Sequence, residues 1–173
     1  IELLHDFIVF DRGIKKLSRH NQYFGVKAAQ ERIRNKEGGI IWHTQGSGKT
    51  ALAFYCVRYL TDYFSKKHIT PKFYFIVDRL DLLNQASREF SNRGLVVHTV
   101  NSSDDLLKDF KKRIVINNLS GKPEITVVNI QKFKEQENLL HANDYDINIQ
   151  RIYFLDEVHR SYNPKGSFLS NLI

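Results

Sequence analysis

Five consecutive residues, Gly46-Ser47-Gly48-Lys49-Thr50, leave this chain few architectures. They lie directly between a short apolar run, Gly39 to Trp42, and a helical pattern, Lys49 to Phe64, that is apolar almost all round. Glycines at such a junction let backbone N–H groups wrap around a phosphate, and the helix N-terminus adds its partial positive charge. The lysine reaches the β- and γ-phosphates, and the Thr50 hydroxyl suits a Mg2+ ion. The expected context is a strand leading in and a helix leading out. His43 stands where the strict pattern has a further Gly, but the glycines nearest the lysine, which make the cradle, are kept. A plain flexible Gly/Ser turn is the bland alternative, and the strand–loop–helix context weighs against it.

The rest of the chain repeats the same alternation. Phe73 to Val77, Leu95 to Val100, Ile125 to Ile130 and Ile152 to Leu155 read, with Gly39 to Trp42, as strands. Their apolar runs are nearly continuous, as in parallel strands covered on both faces. Arg79 to Phe90 and Ser103 to about Asn117 read as amphipathic helices, the second with Ser102 or Ser103 as N-cap and Asp104-Asp105 in its first turn. This alternation predicts an α/β domain, a parallel sheet with helices on both faces. Upstream, Ile1 to about Lys36 reads as two helical pieces broken around Asp11-Arg12-Gly13. The second is amphipathic through Tyr23, Val26, Ala29 and Ile33, and Gly38-Gly39 ends it. The Asn/Gln-rich stretch Gln136 to Gln150 reads as a surface excursion before the last strand.

Composition narrows the function classes. A chain of 173 residues suits one domain with a sizeable core. Its single cysteine, Cys56, excludes an internal disulfide or a Cys-based zinc cluster and is expected to be a buried thiol. Apolar runs fall far short of the ~20 residues of a membrane span, and no leader pattern opens the sequence, so we expect a soluble, cytosolic protein with no membrane role. Lys plus Arg outnumber Asp plus Glu by 26 to 19, a net charge of +7 that suits a polyanionic partner. The sequence contains no methionine, even at position 1, and we expect a piece of a longer chain.

A second chemical signal lies far downstream. Ile152-Tyr153-Phe154-Leu155 ends in Asp156-Glu157, which places two carboxylates at the carboxyl edge of the sheet, where α/β ligands bind. Paired with the Lys49 loop, Asp156 suits Mg2+ and Glu157 suits a general base for an attacking water.

Asp156-Glu157-Val158-His159 is a DExH box, and with it the chain resembles the first RecA-like motor domain of superfamily-two helicases and translocases. Four segments carry a closer resemblance, to the R (HsdR) subunit of type I restriction enzymes. They are Trp42-His43-Thr44-Gln45-Gly46-Ser47-Gly48-Lys49-Thr50, Val77-Asp78-Arg79 with Leu82 and Gln85, Asn129-Ile130-Gln131-Lys132-Phe133, and Asp156-Glu157-Val158-His159-Arg160-Ser161. The resemblance implies a P-loop NTPase of RecA-like fold, with a helical lead-in over 1–36 and the first motor lobe over 37–173. It implies ATP and Mg2+ as cofactors, and double-stranded DNA and the modification and specificity subunits as partners. It assigns nucleotide binding to Thr44, Gln45, Gly46, Ser47, Gly48, Lys49 and Thr50, and places Gln22 near the base. Asn21, beside Gln22, departs from the His usual in the family. It assigns the metal to Thr50 and Asp156, catalysis to Glu157 and coupling between lobes to His159. Asp78, Arg79, Gln131 and Lys132 resemble segments that face the DNA track.

No PD…(D/E)xK nuclease arrangement occurs in these residues. The family's second lobe and its arginine finger are expected after Ile173, so the 173 residues alone should hydrolyse ATP hardly at all. Three other readings stay open: another superfamily-two lobe, a P-loop kinase or transferase, and a non-catalytic basic nucleic-acid-binding module. The DExH tetrad weighs against the kinase. The third would need no response to Mg2+–ATP.

Overall fold

The computed structural model describes residues 2–100, 102, 105–106, 122–131 and 149–156. Its centre is a four-stranded parallel sheet of β3 (Thr70–Val77), β4 (Val96–Thr99), β5 (Glu124–Asn129) and β6 (Ile149–Leu155), in the order β4-β5-β3-β6. β3 is central, with Tyr74 level with Thr126 on one side and Tyr153 on the other. Successive β3 side chains alternate between two cores, which is why its apolar run has no polar gap. Phe73, Phe75 and Val77 join one core with Ile125, Val127 and Ile152, under α3 (Lys49–Ser65) and α4 (Leu80–Asn92). Tyr74 and Ile76 join the other, with Val100, Leu106, Val128 and Ile130. The expected α/β fold, a parallel sheet with helices around it, is therefore present.

Helix α3 is buried as its sequence predicts, through Leu52, Ala53, Phe54, Tyr55, Cys56, Val57, Leu60 and Phe64. Cys56 is the expected core thiol, and burial pushes its pKa up to about 12. The expected amphipathic helix upstream is α2 (His20–Arg34), with Val26 buried and Tyr23, Ala29 and Ile33 packed against the same core. Ser102 makes the contact expected of an N-cap, its Oγ accepting the Asp105 N–H at 3.1 Å. The rest of that segment and most of Gln136 to Gln150 lie outside the described residues.

Two expected elements differ. The first helical piece is a five-residue helix, α1 (Glu2–Asp6), followed by a hairpin of β1 (Ile8–Asp11) and β2 (Ile14–Leu17). Asp11-Arg12-Gly13 is a hairpin turn, with Arg12 and Gly13 both at positive φ (53° and 79°), the twist that suits a two-residue connection. Val9 points into the core and Phe10 out of it, a period of two rather than 3.6. Gly39 to Trp42 is not a strand. Ile40 and Trp42 are 90% and 89% exposed, and no described strand pairs with them. An apolar run becomes a strand only where a neighbouring edge takes up its N–H and C=O groups, and among the described residues none does.

The lead-in is nonetheless welded to the sheet layer. Phe7 is fully buried, its ring centroid 4.9 Å from Tyr23, 5.7 Å from Tyr55 and 5.7 Å from Tyr59. Burial of one such ring contributes ~2–3 kcal/mol. Arg58 on α3 donates to the carbonyls of Ile8 (2.6 Å) and His5 (2.8 Å). Lys27, Glu2 and Tyr59 form a triangle of 2.8 Å contacts that raises the Lys27 pKa and lowers that of Glu2.

Candidate active site

Chain geometry puts the glycine loop at the carboxyl edge of the sheet. α3 has 17 residues, about 25 Å of helix at ~1.5 Å per residue. It ends in a tight turn, closed by Ile69 N–H to the Phe64 carbonyl (3.1 Å), that feeds β3 directly. β3 has eight residues, about 26 Å at ~3.3 Å each, and runs back along the helix it packs against. The start of α3 and the end of β3 therefore share one edge, where β5 and β6 also end because the sheet is parallel.

The loop has the conformation its glycines permit. Gly46 and Gly48 both have positive φ, 75° and 84°. Thr44, Gln45 and Gly46 are exposed, while Ser47, Gly48, Lys49 and Thr50 are half-buried. Lys49 opens α3, whose first turn leaves N–H groups without intrahelical acceptors. The Ser47 hydroxyl is shielded and has no hydrogen-bond partner among the described residues. A phosphate would satisfy such donors, so the cradle fits the group its sequence implies.

Gln22 lies against this loop. It is 5% exposed; its Nε2 donates to the carbonyls of Ser47 (3.5 Å) and Gly48 (3.3 Å), and its Oε1 accepts the Arg19 backbone N–H (2.9 Å). The Arg19 guanidinium donates to the Gly46 carbonyl at 3.3 Å. The sequence reading missed Arg19, and the only signal was its place three residues before Gln22.

Residues 21–171 match the family model described as SWI2/SNF2 ATPase. The chain belongs to that family. Among curated relatives it is 29% identical to the putative type I restriction enzyme MjaVIIIP endonuclease subunit of Methanocaldococcus jannaschii, over 100% of this chain and 19% of that protein. It is also 29% identical to the HindI endonuclease subunit of Haemophilus influenzae, over 93% of this chain and 16% of the relative. The chain thus spans less than a fifth of these relatives' length. The resemblance to type I restriction R subunits therefore extends along nearly all of this chain, beyond the short motifs. A nuclease-deletion mutant of the Type ISP restriction-modification enzyme LlaGI, solved with a DNA substrate mimic, has the same fold. Its TM-score is 0.61 at 17% identity, over 90% of this chain and 16% of that one.

Along the sheet edge of this ATPase domain, Asp156 continues β6 by one step, its N–H donating to the Ile76 carbonyl at 3.0 Å, and its side chain is half-buried. Asp78 and Gln131 are joined through Asn129, a second residue the site reading passed over. Asn129 Nδ2 donates to the Asp78 carbonyl (3.3 Å), and its Oδ1 accepts the Gln131 N–H (2.9 Å). This side chain is buried and ties the ends of β3 and β5 together. Its sequence signal was its place at the head of the segment Asn129 to Phe133, from which only Gln131 and Lys132 were given a role. Arg79 is exposed and forks onto Asp81, Nη2 to Oδ2 at 2.8 Å and Nε to Oδ1 at 3.1 Å. Such an exposed pair adds little stability. Glu157, His159 and Lys132 lie outside the described residues. No described helix is long and apolar enough to cross a membrane.

Proposed function

We propose that this chain is the ATP-binding half of an ATP-dependent double-stranded-DNA translocase motor, within the R subunit of a cytosolic type I restriction enzyme. Residues 1–36 act as its lead-in and 37–173 as its first motor lobe, working beside modification and specificity subunits. One observation carries the reading: a glycine loop with two positive-φ glycines opens α3 at the sheet edge where β6 delivers Asp156.

In this reading the N–H groups of Thr44 to Thr50 enclose the phosphates of ATP, and Lys49 neutralises the β/γ charge. Gln22 sits beside the nucleotide site. Thr50 and Asp156 hold Mg2+, which when bound neutralises charge on the phosphate oxygens. Glu157 takes the proton of the attacking water, and His159 couples the site to the second lobe. Asp78, Arg79, Gln131 and Lys132 face the DNA track. The 173 residues alone hydrolyse ATP hardly at all, because the partner lobe's arginine is worth ~10³–10⁵ in rate in such reactions.

Calorimetry with Mg2+–ATP tests the reading. Lys49→Ala removes a charge-assisted contact and should weaken binding by ~2 kcal/mol, about thirtyfold. Equal affinities would sink the phosphate role. In the full-length protein, Glu157→Gln should keep ATP bound and stop turnover. Duplex binding should be indifferent to sequence and fall steeply with salt.

A further inference from the structure

The glycine loop has no strand holding its upstream side, since Ile40 to Trp42 is exposed and unpaired among the described residues. Its three consecutive carbonyls, of Gly46, Ser47 and Gly48, are instead met from the start of α2, where Arg19 takes the first and Gln22 the other two, the Gly48 carbonyl also accepting the Leu52 N–H of α3 at 3.0 Å. In a trans peptide the N–H points opposite to the C=O. Holding these carbonyls from behind therefore turns the N–H groups of Gly48 and Lys49 away from α2, while the Ser47 N–H closes the loop on the Thr44 carbonyl (3.3 Å). The Gln22 amide is itself braced, with its oxygen on the Arg19 N–H and its nitrogen on the loop, inside a nearly closed environment.

We propose that Arg19 and Gln22 are positioning residues that set the phosphate-binding geometry of the loop, so that Gln22 acts on the phosphates through Ser47 and Gly48 rather than by reading the base. This inference rests on the nucleotide reading above and specifies how that site is built. It makes the contribution of Gln22 independent of which base is attached.

The experiment compares Mg2+–ATP, Mg2+–GTP and Mg2+–tripolyphosphate binding to the full chain by calorimetry, for wild type, Gln22→Ala, Arg19→Ala and Arg19→Lys. Loss of one or two hydrogen bonds predicts about a three- to tenfold weakening for each alanine variant. The factor should be the same for all three ligands, and Arg19→Lys should recover most of it. Weakening confined to ATP would overturn the proposal in favour of a base contact. Unchanged affinities in folded variants would overturn it too. Should Gln22→Ala not fold, Arg19→Ala carries the test, because Arg19 is exposed and its loss leaves the core intact. A wild-type chain that binds none of the three ligands would overturn the nucleotide reading itself, an outcome distinct from base-selective loss.

Discussion

Gly48→Ala and Gly46→Ala look alike in sequence and should differ in the folded protein. Both glycines have positive φ, where an L side chain costs ~1–2 kcal/mol. At Gly46 an added methyl meets nothing within 4 Å, so the backbone term is the whole cost. At Gly48 it falls 2.5 Å from Gln22 Nε2, closer than real contacts allow. Gln22 cannot swing clear cheaply, because moving it breaks its bonds to Arg19 and to the loop carbonyls, at ~1 kcal/mol each. Gly48→Ala should therefore cost ~2–4 kcal/mol against ~1–2 for Gly46→Ala. Urea unfolding followed by circular dichroism measures both; Trp42 fluorescence would serve poorly, because that ring is already exposed. In a double-mutant cycle, Gln22→Ala should relieve part of the Gly48→Ala penalty. Equal costs at the two glycines, or strict additivity in the cycle, would refute the reasoning.

Three further outcomes follow from the packing and charge of the core. Cys56 should resist iodoacetamide at pH 8 until the chain opens. Because the fold favours its neutral form, stability should fall as pH rises above the ordinary thiol value of 9.0 toward about 12; fast labelling of the native protein would contradict its burial. The Asp11 carboxyl is held below its usual 3.8 by Lys16, with Arg93 adding to the effect. Its stabilisation is present above that value and lost as pH falls through the lower folded pKa, so Asp11→Asn should flatten the acid limb of a Tm–pH profile, and an unchanged limb would discount the pair. Gly25→Ala gains ~1 kcal/mol of helix propensity but presses a methyl to 2.9 Å from Leu52 Cδ1, an overpacking cost of ~1–3 kcal/mol; net destabilisation of about 1 kcal/mol is expected, and a raised Tm would show that Leu52 rotates freely.

What could be read from the sequence was whatever local chemistry dictates. Phe73 to Val77 reads as a doubly covered strand because both faces of β3 are apolar cores, and the turn at Gly46 and Gly48 is legible because positive φ favours glycine. The hairpin was misread because four residues a strand give too few alternations to separate a period of two from 3.6, and Asp-Arg-Gly punctuates either element. Ile40 to Trp42 is apolar enough for a strand, but pairing is a property of the neighbouring edge rather than of the run. The contacts of Arg19 and Asn129 are illegible for the same reason. Arg19 meets Gly46 across 27 positions and Asn129 meets Asp78 across 51, and no spacing rule connects residues so far apart.

These long-range contacts close a ring. The loop opens α3, α3 holds the hairpin through Arg58 and the Phe7 pocket, and the hairpin is tied to the start of α2 by Ser18 N–H on the Phe7 carbonyl (3.0 Å). The first turn of α2 then returns to the loop through Arg19 and Gln22. Along the chain the loop's upstream neighbour is the exposed run Ile40 to Trp42, which offers it no rigid support. Through space its support is the lead-in, whose Phe7, Val9 and Val26 share one core with α3 and the sheet. A segment that looks like an appendage to the proposed nucleotide site thus supplies the back wall of the glycine loop. Disturbing that wall should affect phosphate geometry before it affects the sheet, because the carbonyls it holds belong to the loop and none belongs to a strand.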